Sequence, residues 1–166
     1  MPLDTFDETN AMRELPEYKA AYNRALRLIT FRDHTEKELY DKLEKDFEDE
    51  LCQAVCDHMT ELGFVNDEAY GTRYAKSLQN TKHLSQKNIM YKLIQKGIDK
   101  TLAEEIAENL ELDPVEEIKA LLQKKYYKQL GSEKDIKRTF AALQRIGHRY
   151  DDIKTAIEEY TEEELF

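Results

Sequence analysis

Cys52, Cys56 and His58 stand in a Cys-x-x-x-Cys-x-His spacing, and thiolates and imidazole are the ligands a zinc ion takes. Helical geometry argues against such a centre. At about 100° per residue His58 falls about 200° from Cys56, off the face the two cysteines share. Two cysteines are too few for a disulfide framework, so they are expected to be reduced thiols packed at the edge of a core. The other histidines, His34, His83 and His148, are scattered and polar-flanked. No glycine-rich phosphate loop follows a strand, and the abundant carboxylates fall on outward helix faces. Catalysis needs an acid, base or nucleophile converging on one pocket; none is legible, and the expectation is a protein without catalysis, metal or cofactor.

The chemistry that remains is electrostatic. Net charge is −10, which alone argues against nucleic-acid binding, but the charges are segregated. Lys and Arg number 7 against 1 acidic residue over 71–100, and 9 against 2 over 119–149, whereas 33–70 carries 3 against 13. On a helix over 133–145, Lys134, Arg138 and Arg145 fall within about 40° of one another and opposite Ile136, Phe140 and Leu143. Lys124 and Lys128 line up similarly on the preceding helix, Lys92 and Lys96 on an earlier one. Such stripes suit DNA phosphates or an acidic protein surface, while each single lysine suits a solvated face equally. Tyr91 and Tyr127 are candidate anchors or stacking platforms, with boundary packing the plainer role.

The elements that carry these residues are helices. Apolar positions recur at three and four, as in Leu51, Val55, Met59 and Leu62, and no segment sustains the alternation of a strand. Nine helices are expected, over 17–31, 35–46, 49–62, 67–79, 85–96, 100–110, 114–130, 133–145 and 151–160. Thr35 with Glu38, Asp113 with Glu116 and Ser132 with Asp135 mark helix starts, and Pro16 and Pro114 suit first turns. Gly63, Gly97, Gly131 and Gly147 each follow a periodic segment, where positive φ would end a helix. The N-terminal "MPLDTFDETN" has neither a basic region nor an apolar stretch, so no signal peptide or membrane span is expected and the cytoplasm is the expected compartment.

The nine helices fall into three groups of three. Leu43, Leu93 and Leu143 are spaced by fifty, and each is followed by a break and another periodic helix. The "KGID" junction at Lys96–Asp99, where Asp99 would cap the next helix, returns at Gly147–Asp151 one residue longer; "KDFED" replaces it in the first group. The expected architecture is all-α, an elongated tandem array of three three-helix repeats over 16–66, 67–112 and 113–166, with a flexible segment 1–15 and an acidic tail.

Four strings resemble the RecX family, helical regulators of the RecA recombinase: "RDHTEKEL" (32–39), "LGFVNDEAYG" (62–71), "NIMYKLIQKGID" (88–99) and "LQRIGHRYDDI" (143–153). In the last, Ile146, His148 and Arg149 replace the family's Arg, Phe and Ser. The resemblance implies a curved stack of repeats that binds RecA, in the groove of its filament on single-stranded DNA, and inhibits its ATPase, strand exchange and coprotease activity. Lys124, Lys128, Lys134, Arg138 and Arg145 are the expected contact stripe, Lys92 and Lys96 a second patch, with Arg149 beside them. The expected partner is the RecA filament, with single- or double-stranded DNA as a further one; the protein itself is expected to be a monomer. Rival readings are a direct DNA-binding repeat protein, through a basic helix against the duplex, and an acidic scaffold for another protein.

Overall fold

A computed structural model describes residues 4–164, and these form helices throughout, with no strand among them. The nine expected helices are all present: α2 (Pro16–Phe31), α3 (Glu36–Leu43), α4 (Asp49–Glu61), α5 (Asp67–Lys82), α6 (Gln86–Gln95), α7 (Lys100–Glu108), α8 (Pro114–Leu121), α9 (Glu133–Arg145) and α10 (Tyr150–Glu163). They are preceded by α1 (Asp4–Arg13), which lies within the segment expected to be flexible. Its ten residues carry no three-and-four apolar period, so the sequence offered no signal for it.

The starts follow the capping chemistry. Thr35 accepts from the Glu38 N–H while Glu38 bonds back to the Thr35 N–H, a complete capping box. Asp113 accepts from the N–H groups of Val115 and Glu116, and Ser132 from that of Asp135. Each such cap stabilises its helix by about 1 kcal/mol. Gly63, Gly97 and Gly147 end helices at φ +76°, +87° and +96°. Gly131 departs from this pattern: it does not adopt positive φ, and leads directly to the Ser132 cap.

Two further expectations are corrected. Gly147 is followed by Arg149 at the N-cap and a helix from Tyr150, so this junction has the same length as the one from Gly97 to Lys100, and Asp151 lies inside the first turn. The helix expected over 114–130 stops being α at Leu121, and Leu122–Tyr126 form a π turn. Leu121 and Leu122 are both buried; neighbouring residues diverge by about 100° on an α-helix, and the chain opens into the wider turn where both reach the core.

The chain divides into two compact units, one of residues up to Gly71 with Ile94–Asp99, the other of Thr72–Leu93 with the chain from Lys100. The first buries Tyr18, Ala21 and Ala25 of α2 against Leu39 and Leu43 of α3 and the α4 face of Cys52, Val55, Cys56 and Met59. The cysteines are fully buried rather than at an edge, and burial pushes the Cys56 thiol up to about 12. In the second unit Ile118, Leu121 and Leu122 pack with Leu143 of α9 and Ile153, Ala156, Ile157 and Tyr160 of α10. Lys119 reinforces this core, reaching Glu163 at 2.7 Å and Glu116 at 3.3 Å.

Candidate interaction surface

Helix α9 divides cleanly. Thr139 and Leu143 are buried, Ile136 and Phe140 half-buried, and Lys134, Arg138 and Arg145 exposed. The buried side is pinned: the Thr139 hydroxyl donates to the Gln129 carbonyl at 3.1 Å, and the Phe140 ring lies 4.7 Å from that of Tyr150. Among the described residues no ion pair neutralises Lys134, Arg138 or Arg145, whereas neighbouring Lys137 pairs with Glu133 at 2.6 Å. The sequence therefore located this stripe by periodicity alone.

The π turn alters the other half of the expected stripe. Lys124 lies within it and Lys128 beyond it, so the two no longer follow the 100° step that aligned them. Both are exposed. Lys128 sits 5.4 Å over the Tyr127 ring and Lys125 5.4 Å over that of Tyr126. Lys124 and Lys125, with Lys82, border a cavity of about 420 Å³ floored by Leu84, Leu121 and Ile146.

Lys92 and Lys96 are separated by their surroundings. Lys92 is exposed, with Tyr91 beside it 48% exposed. Lys96 is half-buried and pairs with Glu38 at 3.1 Å, and Glu38 also holds Arg32 at 3.1 Å. Burial opposes ionisation of Glu38, but the hydrogen bonds from Arg32 and Lys96 outweigh it and keep the carboxyl below its ordinary range. Lys96 thus serves a half-buried clamp, a role that helical spacing cannot distinguish from a surface charge.

That clamp belongs to a junction built twice. In the first unit the Thr35 hydroxyl donates to the Lys96 carbonyl at 2.6 Å, and the Asp67 carboxylate accepts from the Glu36 N–H at 2.9 Å. A Cβ on Gly97 would collide with the Lys37 side chain. Fifty residues on, in the second unit, the Ser85 N–H reaches the Ile146 carbonyl at 3.4 Å, and a Cβ on Gly147 would collide with Ser85 and Asn88. The glycine is required twice over, by positive φ and by the close approach of a neighbouring helix start.

The histidines are less scattered than their positions suggest. His148 bonds through Nε2 to the His83 carbonyl at 2.8 Å, and His83 Nδ1 meets Glu117 at 2.8 Å. His34 lies between the Arg32 carbonyl and the Lys42 ammonium, and His58 bonds the Tyr18 hydroxyl. These contacts tie structure together and converge on no reactive group. No set of three or more His, Cys, Asp or Glu among the described residues is placed to hold a metal ion.

A tandem array of three-helix repeats places the chain in the helical-repeat class of folds. Residues 21–59 match the first three-helix domain of RecX and residues 66–106 the second. The Regulatory protein RecX of Clostridium tetani is 27% identical over 158 residues, covering 92% of this chain and 72% of that protein. That of Caldanaerobacter subterraneus is 29% identical, covering 85% and 71%. The crystal structure of RecX from Lactobacillus salivarius superposes with a TM-score of 0.75 at 29% identity, over 87% of this chain and 97% of that one. The chain belongs to the RecX family. No helix among the described residues is long and apolar enough to cross a membrane.

Proposed function

We propose that this chain regulates RecA by binding its filament on single-stranded DNA and lowering the filament's ATPase, strand-exchange and coprotease activities. Membership of a family of regulatory proteins supports this reading, and the observation that carries it to a surface is the un-neutralised cationic face of α9. Repeats over 16–66, 67–112 and 113–166 would offer a surface that bridges successive filament subunits, so that weak contacts add through effective concentration. The protein acts in the cytoplasm as a monomer, by binding, with no cofactor and no chemistry of its own. Titrating it into RecA turning over ATP on single-stranded DNA, at near-physiological salt, tests the reading. A saturable fall in rate at or below equimolar protein is expected; an unchanged rate with intact filaments overturns it.

The exposed cations Lys124, Lys128, Lys134, Arg138 and Arg145 also favour direct contact with DNA phosphates. In that case affinity for free DNA falls steeply with salt, and reversing these residues flattens the slope by about one unit for each phosphate no longer bound. A slope that the reversals leave unchanged removes this second reading.

A further inference from the structure

The two junctions differ in how the helix start between them is filled, and that difference defines a site. In the first unit the Asp67 carboxylate fills the start of α3, accepting from the Glu36 N–H. Aligned by their caps, Asn66 before α5 and Asp113 before α8, the residue corresponding to Asp67 is Pro114, which has no carboxylate. The N–H corresponding to that of Glu36 is that of Gln86, and among the described residues it has no partner. Gln86 and Pro114 both line a cavity of about 330 Å³. Its remaining wall brings in His148, Lys87 and Arg149.

Two further features of this cavity select an anion. His148 is 6% exposed, and its Nε2 is engaged by the His83 carbonyl. Among the described residues no buried side-chain nitrogen lacks a partner, so its other nitrogen, Nδ1, which has no partner among them, is reached by solvent, and His148 lines the cavity. Arg149 occupies the N-cap of α10, makes no side-chain cap bond there, and is exposed. A cation at the positive end of a helix is unfavourable by itself, and an anion between the two relieves it. The first junction has Asp99 at the same place before α7.

The geometry points to a carboxylate-binding socket at Gln86, His148 and Arg149, which takes from outside the group that Asp67 supplies internally at the first junction. The carboxylate accepts from the Gln86 N–H and from the Arg149 guanidinium. Lys87, whose ammonium lies 5.8 Å over the Tyr91 ring, is within the same wall. Glu117 and Asp152 also face the cavity, Glu117 with its oxygens engaged by His83 and Gln79. The formal charges of Lys87, Arg149, Glu117 and Asp152 cancel, so binding takes up a proton at His148 Nδ1, which then donates to the bound oxygen. Affinity therefore rises as pH falls. This inference does not depend on RecA.

Nuclear magnetic resonance of the full chain, following the Gln86 amide as succinate is added at constant ionic strength, tests it. A saturable shift is expected, at least tenfold tighter at pH 6 than at pH 8, and weakened about tenfold by Arg149→Gln and by His148→Phe. Pro114→Asp, which rebuilds the first junction's carboxylate in place, is expected to abolish the response while leaving the chain folded. A blocked Gly-Glu-Gly peptide distinguishes the source: tighter binding than succinate indicates a partner's acidic side chain, weaker binding a small free acid. No saturable shift at pH 6, a response in Arg149→Gln and His148→Phe as tight as in the wild type, or tighter binding of phosphate than of either carboxylate would overturn the assignment.

Discussion

Single residues at the junctions carry more of the fold than their size suggests. Gly63, Gly97 and Gly147 all have positive φ, but a Cβ on Gly63 meets nothing within 4 Å, whereas on Gly97 or Gly147 it meets a neighbouring helix start. Gly63→Ala is therefore expected to destabilise by about 1 kcal/mol, and Gly97→Ala or Gly147→Ala by about 2–3 kcal/mol, measured by urea denaturation. Glu38→Gln leaves Arg32 and Lys96 without their shared carboxylate and is expected to cost about 1 kcal/mol at neutral pH, discounted for the partial exposure of both cations. Because the folded state holds the Glu38 carboxyl down, its contribution is present above the ordinary glutamate range and is lost as pH falls through the folded value; the difference between wild type and Glu38→Gln should close in acid. Burial also lowers His148. A histidine kept neutral when folded contributes stability above its ordinary value of about 6.5 that is lost as pH drops below it. Between pH 7.5 and 5.5, His148→Phe should lose less stability than the wild type; equal losses would show that His148 takes its proton without penalty.

At the scale of elements, α9 separates stability from recognition. Its apolar side is held by Leu143 in the core and by the Thr139 bond to Gln129, while among the described residues no ion pair neutralises its cationic side. Reversing Lys134, Arg138 and Arg145 to Glu is expected to weaken filament binding at least tenfold with helicity by circular dichroism unchanged. Unaltered affinity would move the binding surface elsewhere on the molecule. The π turn makes a further distinction: Lys124 lies within it and Lys128 past it, so their single reversals should have unequal effects, whereas a continuous α-helix would make them equivalent.

Taken whole, the molecule opposes its own basic stripe with a net charge of −10. Long-range repulsion from DNA is screened beyond about 8 Å at physiological salt, so only a local, un-neutralised patch can act. Weak binding to free duplex at that salt, alongside firm binding to the RecA filament, is the expected pattern in a mobility assay. Comparable affinity for both would favour the DNA-binding reading.

Composition, capping pairs and the fifty-residue recurrence of Leu43, Leu93 and Leu143 were enough to determine a helical three-repeat chain, because helix formation and termination are local and are written in neighbouring residues. The α9 stripe was legible for the same reason. What only the tertiary structure decided depends on residues far apart in the chain. Lys96 became a clamp because Glu38 lies beside it. The cysteines went to the centre of a core, and two consecutive leucines both found the interior through a π turn. His148 and Pro114 acquired meaning only where the second junction, overlaid on the first, lacks the carboxylate of Asp67. Periodicity reports which way a side chain points, and packing alone determines what it meets.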